Sequence, residues 1–467
     1  MCIRDRFRIY ILNFYKTAAV LTASVLIAGC STYDHARVRD AQIESFTNSL
    51  LRASGELLSK PLSLDDAIAI ALTNNYEVRK ADLDVELAKL GKTAAFAAFL
   101  PRIEAKAGYY SYRDDPLTTS RSYENGGVAL AMPLLMPSTW FLYAAQRHGY
   151  AAGRISAFYT RQSIALRTTQ DYFNILVQQS LIDAYSSQYK AALEGAQRIE
   201  GLAKEGIHAE WEADRASVIA LSRKVQLSQA KRNMDVLKAR FLANLGLDPR
   251  GDFSLAGVPD EVKSTNSLDE IVIQALTTHP VLALADRQVV MKEHAIRSAV
   301  CDFLPNVSFV AEKSWTGNEV SVPSENLLAS FSGTWSIINA ASLFANYKIS
   351  KIERRKAELE RENSFLNVIV NVVASYAALR DSEESLAVKS GTFDVASQKY
   401  ADYDAKAREG VMPVSDALDA LAERDLAEVE LIRSRFDARL AKAALDFASG
   451  SIETGFENDI DDLIGRQ

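Results

Sequence analysis

The chain has 467 residues, of which 48% are hydrophobic and 24% charged, and its net charge is -7 at neutral pH. That balance lacks the basic footprint of a nucleic-acid-binding protein. Three cysteines, Cys2, Cys30 and Cys301, cannot make a disulfide framework and sit in no zinc-like spacing.

At the N-terminus, Arg4, Arg6, Arg8 and Lys16 precede an apolar run from Thr17 to Ala28, which is too short for a membrane span and right for a signal-peptide core. Residues 1–29 therefore read as a signal peptide. The run ends Leu26-Ile27-Ala28-Gly29-Cys30 and resembles the lipobox of bacterial lipoproteins. That resemblance implies a covalent lipid on Cys30 at the mature N-terminus, and Ser31 after it implies transfer to the outer membrane. Residues 30–61 read as a lipidated linker.

The rest of the chain repeats itself at an offset of 204 positions. Ser63-Leu64-Asp65 returns as Ser267-Leu268-Asp269, Phe99-Leu100-Pro101 as Phe303-Leu304-Pro305, Gly206 as Gly410 and Gly246 as Gly450. Between positions 63 and 101 the copies share 13 of 39 residues without a gap, too many for chance alignment of apolar helices. The period is too long for a solenoid unit and reads as duplication of a half-protein. The repeats span 62–248 and 267–450, joined by a linker at 249–266 and followed by an acidic tail at 451–467.

Each repeat opens with an amphipathic helix behind a serine N-cap, Ser63 or Ser267, and a proline closes it, Pro101 or Pro305. The period then changes from helical to two. Leu327, Ala329, Phe331, Trp335 and Ile337 alternate with Leu328, Ser330, Ser332, Thr334 and Ser336, and Val128, Leu130 and Met132 alternate with Ala129 and Ala131. Partner strands are predicted at 102–112 and 306–315, so each repeat supplies one hairpin of strands about ten residues long, enough to cross a bilayer when tilted.

Long helices follow. The first is predicted at roughly 156–205. Trp211 to Leu245 contains no proline or glycine, and Ala216, Ala220, Leu227, Ala230, Met234, Leu237 and Phe241 trace a coiled-coil seam interrupted by Arg223. Ala420, Ala427, Leu431, Ala438, Ala441 and Leu445 repeat it. Turns at Gly206 and Gly410 make two helical hairpins. Four strands cannot close a membrane barrel, which needs at least about eight, and open sheet edges are not tolerated in lipid. Subunits must therefore share strands, and three chains would supply twelve.

The openings "LSLDDAIAIALTNN" and "NSLDEIVIQALTTHP", the two "FLP" closures and the tip segment "GVMPVSDALDALAERD" resemble the TolC-type outer-membrane factor family. The resemblance implies a mainly α fold with a membrane β-barrel portion: duplicated half-repeats, a periplasmic tunnel of coiled-coil hairpins, and four strands per chain in a trimeric twelve-stranded barrel. It implies a homotrimer in the cell outer membrane, lipid-anchored among outer-membrane lipid, extending into the periplasm to a periplasmic adaptor protein and an inner-membrane pump. Asp416 and Asp419 match the paired acids that ring the periplasmic entrance, and Glu212 matches an acid of its closing contacts. The family's latch tyrosine and arginine positions are Ala407 and Met412 here, and Trp211 stands for a small polar residue, which implies closure by apolar packing. Lys204, Glu205, Gly206, Arg408, Glu409 and Gly410 form the tips that would meet the adaptor.

No phosphate-binding glycine loop or catalytic triad grouping appears, so neither enzyme activity nor a metal is expected, and no cofactor beyond the lipid on Cys30. The function expected is a passive efflux conduit for small molecules; a type I protein-secretion channel and a periplasmic coiled-coil scaffold are the alternatives.

Overall fold

A computed structural model describes residues 34–58, 60–114, 119–256, 267–318, 320, 324–335 and 340–452. The predicted signal peptide, Cys30 and nearly all of the acidic tail lie outside the described residues. Two compact units result, residues 1–59 and 60–467. In the first, the segment read as a linker is a helix, α1 (His35–Leu57). Asp34 Oδ1 caps it, accepting from the Ala36 and Arg37 amides at 3.1 and 3.3 Å.

In the second unit each repeat begins with two helices where the sequence suggested one. These are α2 (Leu64–Asn74) and α3 (Tyr76–Ala97) in the first repeat, and α6 (Leu268–Thr278) and α7 (Pro280–Cys301) in the second. Capping boxes of Ser63 with Asp66 and Ser267 with Glu270 start α2 and α6. The breaks fall at the repeat-equivalent Asn75 and His279, both extended, with ψ 133° and 124°. Asn75 Oδ1 accepts from the Glu77 amide at 2.7 Å, and His279 Nδ1 from the Val281 amide at 3.2 Å, so each side chain caps the helix after it. Burial pushes the His279 imidazole below its usual pKa, which keeps Nδ1 free to accept.

The end of each hairpin packs on its break. Gly246 and Gly450 both have φ +72°, the left-handed turn that closes a helix, and a Cβ on Gly246 would lie 2.5 Å from the Asn74 carbonyl oxygen. Asn75 Nδ2 donates to the Asn244 carbonyl at 2.7 Å.

The hairpins are α4 (Pro137–Lys204) with α5 (Glu210–Asn244), and α8 (Ala340–Arg408) with α9 (Val414–Ala448). At 68 residues α4 starts well before the predicted boundary and spans about 100 Å. Pro137 opens it at the first helical turn, where proline is tolerated, and Gly149 and Gly153 do not break it. Gly153 instead lets α3 approach, since a Cβ there would lie 3.3 Å from that of Ala88. Helix α4 packs against α3, α5, α7 and α9, and α8 packs against α7 and α9. The predicted seams are the packed faces: Ala216, Ala220, Ala230, Met234 and Phe241 are buried on α5, and Ala420, Ala427, Leu431, Ala438 and Leu445 on α9. The α4–α5 core near the tip is built of Ala192, Ala196, Ile199, Ala213, Ala216 and Ala220, with Leu418 of α9 against it.

Strands β1 (Arg102–Ser111), β2 (Ser122–Leu135), β3 (Asn306–Thr316) and β4 (Glu325–Thr334) form one antiparallel sheet in that order. The last strand stops before the predicted Trp335, whose indole Nε1 leaves the ladder and donates to the Phe303 carbonyl at 3.1 Å. Ile337 lies outside the described residues. Among the described residues no helix is long and apolar enough to cross a membrane.

Candidate functional site: the tips, the inter-hairpin seam and the sheet

The tips turn at Gly206 (φ +76°) and Gly410 (φ +73°). Lys204 pairs with Glu200 at 2.7 Å and Arg408 with Asp404 at 2.5 Å, each one helical turn back on its own helix. Glu205, Glu409, Ile207 and Val411 are exposed around the glycines. Glu212 folds back to accept from the Ala209 amide at 3.2 Å and lies 3.0 Å from His208 Nδ1, so within the chain it caps α5. Asp416 is in the first turn of α9, where an acid suits the helix dipole. Asp419, three positions on, accepts from Arg215 Nη2 of α5 at 2.7 Å.

That bond spans the two hairpins. Trp211 is 60% exposed within the chain, and the contact between hairpins at this level combines Leu418 on the alanine core with the charge-assisted Arg215–Asp419 bond. Arg215 and Asp419 are also repeat equivalents, 204 positions apart. Two like units thus meet through unlike charges at the same place. Sequence reasoning missed Arg215; its signal was an arginine aligned under an acid.

Further along the seam, Asp425 of α9 is 1% exposed. Arg424 Nη2 is 2.6 Å from its Oδ1, and Arg223 Nη2 of α5 is 3.4 Å from its Oδ2. The arginine that interrupts the predicted seam is therefore the ion-pair partner of a buried acid on the other hairpin. Gln188 of α4 closes the group, its Nε2 donating to the Asp425 carbonyl at 3.3 Å and to Glu428 Oε2 at 3.1 Å. Burial raises the Asp425 pKa, against the pull of Arg424 and Arg223.

Register divides the sheet into two faces. Ile103, Leu130, Ala311 and Ala329 lie in one cross-strand row, and Met132, Phe309 and Phe331 in the next on the same side. Phe309 and Phe331 touch, with centroids 5.4 Å apart. Tyr109 and Trp315 end this apolar face away from the helices, and the ring of Trp315 covers Gly126, where a Cβ would sit 2.5 Å from it. From the Phe309 row to the Trp315 row is six residues, about 20 Å of strand. Lys313, on the same face, pairs with Glu325 at the outer end, at 3.5 Å. The opposite face carries Arg102, Glu104, Lys106, Glu312, Ser308, Ser314, Ser330 and Ser332. Among the described residues β1 and β4 each pair on one side only, leaving both edges of the sheet open.

A sheet with one apolar and one polar face, ending long helical hairpins, has counterparts of known structure. The family model described as outer membrane efflux protein matches residues 271–451. That match covers nearly all of the second repeat. Over 83–86% of its length the chain shares its fold with outer-membrane channels. OprN matches with a TM-score of 0.74 at 18% identity, covering 83% of this chain and 90% of that one. CmeC of Campylobacter jejuni matches at 0.73 and 17%, covering 86% and 89%. MtrE of Neisseria gonorrhoeae, solved in an open state, matches at 0.71 and 18%, covering 83% and 88%. No curated protein sequence matches the chain. Because the first repeat carries the same elements in the same order as the second, the outer membrane efflux fold extends over both.

Proposed function

We propose that three copies of the chain form an outer-membrane efflux channel, a passive conduit for small molecules working with a periplasmic adaptor protein and an inner-membrane pump. The observation that carries this is the sheet, whose apolar face suits lipid and whose open β1 and β4 edges must be paired in a bilayer. Three four-stranded sheets joined edge to edge give a twelve-stranded barrel with the polar face inward. The similarity in fold to OprN, CmeC and MtrE supports it. So does α8, where the exposed Ile352, Leu359 and Leu366 recur every seven residues and Val373 continues the row, an unpartnered coiled-coil face.

In this reading a lipid on Cys30 adds a second membrane anchor, and the tip residues Lys204, Glu205, Gly206, Arg408, Glu409 and Gly410 meet the adaptor. Asp416 and Asp419, with Glu212, line the entrance, where threefold symmetry turns each acid into a ring of three carboxylates that favours cations.

Native mass spectrometry with planar-bilayer recording tests the proposal. The expected result is a trimer that conducts, and a conducting or transport-competent monomer refutes it. Replacing Asp416 and Asp419 by alanine is expected to lower cation selectivity without disturbing the trimer; unchanged selectivity removes the acids from the entrance.

A further inference from the structure

Three tyrosines stack on the polar face of the sheet at the end remote from the helices. Tyr110 and Tyr123 are cross-strand partners, with ring centroids 5.2 Å apart and planes 20° apart. Tyr112 follows at 6.4 Å and 27° from Tyr123. Strand alternation puts Tyr110 on the side of Arg102, Glu104 and Lys106, opposite Ile103 and Tyr109. An aromatic on the lipid side would be an interfacial anchor, which describes Tyr109 and Trp315; the stacked trio faces the other way, and anchoring does not account for it.

The surroundings leave the rings accessible. Tyr110 is 45% exposed and Tyr112 41%. The adjoining cross-strand row is Gly108, Asn125 and Thr316, small and uncharged. The Tyr110 ring lies back over Gly108, where a Cβ would be only 3.2 Å away. Charges deeper on the face balance, Arg102 and Lys106 against Glu104 and Glu312, and at the outer rim the Arg121 side chain donates to the Arg113 carbonyl. Recognition here would follow the aromatic ring rather than charge.

We propose that Tyr110, Tyr112 and Tyr123 form a binding subsite for planar aromatic compounds at the outward end of the lumen. The inference rests on the channel reading, which makes the polar face the lumen wall. Three protomers would then present nine rings where an exported compound leaves.

Planar-bilayer recordings of the full-length protein decide it, with ethidium as a planar aromatic probe and spermine as a cation lacking a ring, both added from the extracellular side. Ethidium is expected to block wild type. Replacing the three tyrosines by alanine is expected to raise the blocking concentration about tenfold, the loss of stacking at roughly 1.4 kcal/mol. The triple phenylalanine variant is expected to keep the block, and spermine block to stay the same in all three proteins. Equal ethidium block of wild type and the alanine variant overturns the subsite, as does a conducting wild-type channel that ethidium does not block. A protein that forms no conducting pore removes the channel reading itself, and the subsite with it.

Discussion

Asp425 shows at the residue scale how a buried acid couples the hairpins. The groups facing it are Gln188 from α4, Arg223 from α5, and Arg424 and Glu428 on its own helix. Its folded pKa is raised by burial, above the unfolded value of about 3.9. Such a group supports folding most fully below the unfolded pKa, and its contribution is lost as pH rises through the folded one. Acidification therefore tightens this seam as far as Asp425 is concerned. Asp425→Asn keeps the shape and removes the titration, so the melting temperature of the variant, relative to wild type, is expected to rise as pH increases through the acidic range up to neutrality; a constant difference would mean Asp425 does not titrate there. Gly246 gives a second contrast. Alanine at this left-handed position, against the Asn74 carbonyl, is expected to cost about 2 kcal/mol or more. At Gly201, exposed on α4 with open space at its Cβ, alanine is expected to stabilise by roughly 0.5–1 kcal/mol, read by thermal unfolding. Gly246 was legible from its repetition as Gly450. Asp425 was not, because an acid inside "LAERDLAEVE" has the composition of a solvated helix face and only the other hairpin buries it.

Among elements, the Arg215–Asp419 bond joins α5 to α9 at the tip, with side chains 40% and 64% exposed. A pair so exposed contributes at most about 1 kcal/mol, so its loss should leave stability unchanged and act instead on tip spacing. Arg215→Ala is expected to broaden the distance distribution between spin labels placed on the two tip turns, and the charge swap of Arg215→Asp with Asp419→Arg is expected to restore it. A narrow distribution in the single variant would assign the tip spacing to the alanine core alone. Strand periods and coiled-coil seams were readable because each reports a single buried or apolar side. The helix breaks at Asn75 and His279 were not, since a capping amide or imidazole is an ordinary residue until its chain has turned. The start of α4 was missed for a related reason: Gly149 and Gly153 signal a boundary in sequence and close helix packing in space.

For the whole molecule, the exposed row on α8 carries the clearest prediction. Leu359→Glu with Leu366→Glu places charge on a face that coiled-coil packing between protomers would bury, and each leucine lost from such an interface removes about 2 kcal/mol. The double variant is expected to be monomeric by native mass spectrometry with its helix content kept; an intact trimer would move the interface off α8. The expectation of an oligomer came from strand count alone, whereas which helix faces would meet a neighbour depends on what the rest of the chain leaves uncovered. The opposed charges at positions 215 and 419 bear on the history of such an assembly. A ring of six separate, identical half-length subunits would carry one residue at this position six times, so like charges would face each other at every junction. Fusing two copies into one gene freed the positions to diverge, and a single substitution in one copy then turns mutual repulsion into attraction between neighbours. In the proposed trimer, tandem duplication would thus be a means of breaking symmetry, giving alternate members of one ring different parts in holding its end together.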